Sequence, residues 1–273
     1  MIAPIYLALR TGYKRSKSIL RPFTTTIITY LVLLTIAELL TSYLYIEVGM
    51  LLHSVLMMAL IVHSSAVSEQ TTQHMLLALS LAPMIRILAL ASPLIPFSPI
   101  YWYLIISIPL LAATFVVIRN IHLPLAEIGF IRGSIRIQML VAVSGVLFGT
   151  GEYLILSPLE GYESLITEFS LGTFWLPALI LLIFTGFTEE LIFRGLLHRV
   201  FWTRFGWWGV IYISLLFAVL HVGYHSIVDV VFVFVVGFIF AWIVKRTGSL
   251  LGVTLSHGIT NIFLYMVMPV LSG

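Results

Sequence analysis

The chain has 273 residues, 60% hydrophobic and 9% charged, with a formal net charge of +3 and a mean hydropathy of +1.12. Soluble domains carry about 25% charged residues, so this composition excludes an ordinary water-soluble globule and places the chain in lipid. The absence of cysteine excludes disulfides and thiolate metal centres, and the basic residues border apolar spans, which excludes a nucleic-acid partner.

Residues 1–22 contain Arg10, Lys14, Arg15, Lys17 and Arg21 but no small-residue cleavage site behind a short apolar core. They read as a basic cytoplasmic arm, not a cleaved signal. A spanning helix needs about 20 mostly apolar residues. Candidate spans follow near 24–46, 50–67, 75–95, 99–118, 137–157, 173–204, 207–222, 229–245 and 249–270. The third contains Pro83, Arg86 and Pro93 with Pro96 just beyond, and is expected to be kinked or re-entrant. The fold class is therefore all-α: a polytopic membrane helical bundle of eight to nine transmembrane helices. Residues 23–118 form N-terminal transmembrane helices, 119–136 a cytoplasmic loop, and 137–273 a core that holds every motif within 173–265.

Lysine and arginine positions set orientation. With a cytoplasmic N-terminus and nine crossings, twelve of the fourteen basic residues fall on the cytoplasmic face: the five of the arm, Arg119, Arg132, Arg136, Arg199, Arg204, Lys245 and Arg246. The opposite face collects Glu47, Glu152, Glu160, Glu163, Glu168 and Asp229. An even number of spans before residue 119 keeps this separation. The protein is expected in the plasma membrane of a prokaryote.

Three polar clusters interrupt the apolar C-terminal segments: Glu189-Glu190-x-x-x-Arg194, Phe217-x-x-x-His221 and His257-x-x-x-Asn261. Ionisable groups at membrane depth are costly and face a protein interior or a wet cavity. Glu190 and Arg194 form a favourable i,i+4 pair. Glu189 lies about 100° round the helix and is left for another partner, so one carboxylate is expected to be structural and the other chemical.

Gly206 is a natural hairpin point, with Glu189 17 residues before it and His221 15 after it. At about 1.5 Å per residue both lie at similar depth. His257 and Asn261 follow the turn at Gly248 by 9 and 13 residues, and share one helix face. The motifs are expected to converge in a cavity open toward the cytoplasm. A carboxylate withdrawn from water is a better base near neutral pH, so Glu189 with His221 can bind and polarise a water. His257 and the Asn261 amide can donate to the oxyanion formed on an attacked carbonyl. Ser256 precedes His257 directly, and adjacent helical residues do not face each other, so it is no nucleophile.

Together these motifs resemble the CPBP family of intramembrane proteases, also called the Abi or CaaX-protease family, which includes Rce1-type glutamyl endopeptidases. Gly195-Leu196-Leu197 and Arg246-Thr247-Gly248-Ser249-Leu250 are similar to the family as well. The resemblance implies that Glu189 is the water-activating base, His221 its partner, and His257 with Asn261 the oxyanion hole, with Glu190, Arg194 and Phe217 in support. It implies a metal-independent site with no cofactor and a peptide or membrane-protein substrate, lipidated or not. The spacing of 36 residues from His221 to His257 resembles the compact prokaryotic branch rather than the prenyl-protease branch.

Other readings stand beside this one. His221 and His225 at i,i+4, with Glu189, would make a zinc site and a metalloprotease. A buried polar cluster also suits a non-enzymatic scaffold or immunity protein, or the proton relay of a transporter. Outside the motifs, Glu38 and Arg86 are expected to pair across the N-terminal helices and His198 to sit at the interface. Met57-Met58, Tyr101-Trp102-Tyr103 and Trp207-Trp208 read as packing and interfacial belts.

Overall fold

The computed structural model describes residues 24–94, 96–159, 164–166 and 168–272. The basic arm 1–22, Glu160 and Glu163 lie outside the described residues. Among those described there is no strand, and nine helices are long and apolar enough to span a membrane. They are α1 Thr24–Tyr43, α2 Ile46–Ala66, α3 Gln70–Leu94, α4 Pro99–Asn120, α5 Ile135–Leu156, α6 Leu171–Phe205, α7 Trp207–Tyr224, α8 Ile227–Thr247 and α9 Leu251–Ser272. The protein is an integral membrane protein. Long apolar side chains such as Leu140, Leu147 and Trp175 remain exposed on the outer faces, as expected where lipid replaces water.

The proline-bearing third segment is a broken crossing, not a re-entrant loop. Its two helical pieces, Gln70–Leu79 and Leu81–Ala91, meet at Ser80, and Pro83 falls in the first turn of the second piece. There its missing N–H costs nothing, because first-turn donors have no intrahelical acceptor.

Contacts between loops define the two ends of the bundle. At one end Arg204 Nη1 donates to Glu69 Oε1 at 3.1 Å, Arg199 pairs with Glu127, and Leu250 N donates to Gly129 O at 3.0 Å. Gly129 has φ +94°, a left-handed conformation that favours glycine. This end gathers the connections α2–α3, α4–α5, α6–α7 and α8–α9 with all the described loop-proximal basic residues. At the other end the Tyr43 and His225 rings meet at 4.8 Å, and Leu165 N donates to Tyr265 O at 2.9 Å. The connections alternate as nine crossings require, four of them before the 119–136 loop.

Small residues set how closely the central helices approach. A Cβ on Gly186 of α6 would stand 2.8 Å from the Gly258 nitrogen of α9, and one on Gly145 of α5 would strike the Ser256 carbonyl. Without a hydrophobic drive between helices in lipid, such close backbone contact supplies the packing. In the N-terminal half the expected Glu38–Arg86 pair forms. Arg86 Nε lies 2.7 Å from Glu38 Oε2, and His53 Nε2 approaches the same oxygen at 3.3 Å.

Candidate active site

Helix α6 carries the first motif on a distorted backbone. Residues Leu181–Phe187 and Leu191–Leu197 wind as π-helix on either side of Thr188–Glu190. Such wide turns are rare and concentrate at functional sites. Here they flank the two glutamates, which point into different environments. Glu190 is fully buried, whereas about a third of the Glu189 side chain (32%) is open to the cavity.

Glu190 Oε1 accepts from Arg194 Nη1 at 2.8 Å and from His257 Nδ1 at 2.8 Å. The expected i,i+4 pair is thus present, with His257 as a third member that spacing alone did not reveal. The Arg194 guanidinium also lies over the Phe217 ring, 4.2 Å from its centroid, a favourable desolvated contact. Because Glu190 holds Nδ1 of His257, the opposite nitrogen is aimed at Glu189, with Nε2 3.9 Å from Glu189 Oε2.

His221 lies just beyond the regular part of α7. Its Nδ1 donates to the Phe217 carbonyl at 2.8 Å, since a carbonyl only accepts. In the neutral ring the Nε2 lone pair is therefore free to accept. Asn261 Nδ2 donates to Thr185 Oγ1 at 2.7 Å, which leaves its second N–H available. Glu189, Glu190, His221, His257 and Asn261 all line one cavity of about 80 Å³. A larger cavity of about 360 Å³ adjoins it and shares Glu189, His221 and Thr185 as walls.

Several wall residues escape motif reading. Tyr103, assigned from sequence to an interfacial belt, lines both cavities. Tyr224 and Tyr265 bridge their hydroxyls at 2.5 Å. Thr185 and Glu152 line the smaller cavity. Each comes from a different helix, so no local pattern could single it out. Two further histidines are placed by the structure. His198 is buried, at 4% exposure, against Trp202 rather than interfacial. His225 does not continue the helix of His221: it has φ +56° and packs on Tyr43. The i,i+4 face required for a zinc pair is not formed, and among the described residues no three histidines or carboxylates group as a metal site.

Counted along the helices, Tyr103, Glu152 and Tyr224 sit within five residues of the end opposite the basic loops. A separate cavity of about 460 Å³ at the basic end touches Arg194 but none of Glu189, His221, His257 or Asn261.

Residues 170–263 match the family described as "Type II CAAX prenyl endopeptidase Rce1-like", a stretch that contains all three motifs. The chain is 30% identical over 154 residues to an "Uncharacterized 24.3 kDa protein" of Escherichia coli, covering 54% of this chain and 70% of that protein. No solved structure matches. With the three motifs gathered on one cavity inside the matched stretch, the chain belongs to the CPBP family, in its Rce1-like group, a family of intramembrane CAAX-type peptidases.

Proposed function

We propose that this protein is an intramembrane glutamic endopeptidase, set in a prokaryotic plasma membrane with the basic loops cytoplasmic. One observation carries the reading. Of two adjacent carboxylates, Glu190 is sealed and satisfied by Arg194 and His257, while Glu189 opens into a cavity walled by His221, His257 and Asn261.

In the proposed reaction a water lies between Glu189 and His221 Nε2. Glu189 takes its proton as the oxygen adds to the carbonyl carbon of the scissile peptide bond. The carbonyl electrons move onto oxygen, where His257 Nε2–H and the free Asn261 N–H donate to the oxyanion. His257 can donate from both nitrogens only as the imidazolium, a form that faces two glutamates here. When the tetrahedral intermediate collapses the C–N bond breaks, and the proton held by Glu189 passes to the leaving amine. No metal takes part in these steps, and the substrate is a peptide or a segment of a membrane protein.

The test is cleavage of a peptide library by detergent-purified protein. Glu189→Gln preserves shape and hydrogen bonding but removes the base, a loss of about 10²–10⁴-fold for a general base. Rates that survive this substitution would overturn the reading. A strong zinc chelator is expected to leave the wild-type rate unchanged, and loss restored by added zinc would instead make the enzyme a metalloprotease.

A further inference from the structure

We propose that Glu152 determines specificity by receiving a basic side chain of the substrate, lysine or arginine, inside the catalytic cavity. That the occupant is a substrate rests on the proteolytic reading above; the charge it must carry is the new element.

Glu152 lies near the end of α5, is 8% exposed, and lines the same cavity of about 80 Å³ as Glu189, His257 and Asn261. It belongs to none of the three motifs. A carboxylate at membrane depth is costly unless paired, and the basic groups on this wall are already engaged. Glu190 accepts from Arg194 and from His257, each at 2.8 Å, and the second nitrogen of His257 stands 3.9 Å from Glu189. His221 uses its Nδ1 hydrogen on the Phe217 carbonyl. Among the described residues no group hydrogen-bonds or ion-pairs with Glu152. Three carboxylates thus share the wall with one guanidinium and one imidazole that engage the other two.

A further carboxylate adds to the excess. Asp229 of α8 is fully buried, and neither of its carboxylate oxygens has a hydrogen-bond partner among the described residues. It stands one turn before Phe232 and Val233, which line the same cavity. The Phe232 ring lies against α5 next to Glu152, where a Cβ on Gly151 would be 3.5 Å from it.

The surroundings suit a cation carried on an apolar stem. Phe232, Tyr224 and Tyr265 share the wall with Glu152. Aromatic faces attract an ammonium or guanidinium, and the methylenes of lysine or arginine pack on apolar surface while the charged head reaches a polar partner. A neutral substrate side chain would leave this carboxylate unpaired, and an acidic one would add another negative charge, so both are selected against.

The test uses full-length, detergent-purified protein and a peptide library blocked at both ends, with the cleaved bonds identified by mass spectrometry. Wild type is expected to enrich lysine or arginine at one fixed position from the scissile bond. Acetylating that lysine keeps its length but removes the charge, and is expected to lower kcat/KM by about 10–100-fold, the worth of a charge-assisted hydrogen bond. In Glu152→Gln the ratio of lysine to acetyl-lysine rates should fall close to one. Because this ratio is read within one protein, partial loss of folded material does not change it. Equal rates for the two peptides in wild type would overturn the proposal and show that a proton, not a substrate cation, neutralises Glu152. A preference that survives Glu152→Gln would also overturn it, as would cleavage confined to peptides with a free α-amino group, which would make that group the cation.

Binding of the same two peptides to wild type, by thermophoresis, separates this proposal from the proteolytic reading. If nothing is cleaved but the lysine peptide binds about 10–100-fold more tightly than its acetylated form, and Glu152→Gln removes the difference, proteolysis fails while the cation subsite stands. Equal binding of both peptides to wild type would overturn the subsite itself.

Discussion

Glu189 and Glu190 are neighbours of identical chemistry, and the structure gives them opposite thermodynamic roles. Glu190 Oε1 holds both Arg194 and His257 in a fully buried setting. Replacing it with Gln leaves the guanidinium, 2% exposed, without a counter-charge, and removing one partner of a buried ion pair costs about 3–5 kcal/mol. Glu190→Gln is therefore expected to lower the thermal midpoint in detergent clearly and to slow cleavage by releasing the His257 ring. Glu189→Gln breaks only an ion pair of 3.9 Å to His257 and is expected to leave the midpoint near wild type while abolishing cleavage. Differential scanning fluorimetry beside the peptide assay separates the two. Equal destabilisation by both substitutions would show that Glu189 is a structural member of the cluster.

At the scale of helices, the site depends on how α6 and α9 approach. Thr185, Gly186 and Glu189 on α6 face His257, Gly258 and Asn261 on α9, and the Gly186 Cβ position lies 2.8 Å from backbone. Gly186→Val must push the helices apart. Overpacking of this kind costs about 1–3 kcal/mol, but its larger effect falls on the distances that hold His257 and Asn261, the proposed oxyanion donors, opposite Glu189. The expected outcome is folded protein, by size-exclusion elution and retained helicity, with cleavage lost or strongly reduced. Wild-type rates from this variant would show that the interhelical spacing is not what positions His257. The i,i+4 pairing of Glu190 and Arg194 was legible from spacing. The π-helical turns on both sides were not, because a wide turn is selected by packing against neighbours rather than by local propensity.

For the whole molecule, the N-terminal helices do more than extend the core. Glu38 of α1, His53 of α2 and Arg86 of α3 converge on one buried cluster, and Arg86 also walls the larger cavity. Arg86→Ala leaves Glu38, fully buried, without its guanidinium and is expected to cost about 3–5 kcal/mol on the same physical ground. Thermal unfolding in detergent checks this; a midpoint within error of wild type would show that the cluster is not what holds α1–α3 together. The Glu38–Arg86 pair was visible as two lone charges in apolar segments. His53 was not, since it lies in α2 with no companion at helical spacing.

The sequence by itself determined the solvent, the helical class, the alternation of basic and acidic ends, and the six polar residues of the three motifs. These follow from hydropathy, charge placement and local spacing, properties that a linear chain displays. Which glutamate is sealed, how His257 joins the two, and that Tyr103, Tyr224, Tyr265 and Glu152 wall the cavity were decided only by the tertiary structure. Each depends on the relative rotation and depth of helices distant in sequence, which is set by side-chain packing between them and leaves no periodic trace in any one segment.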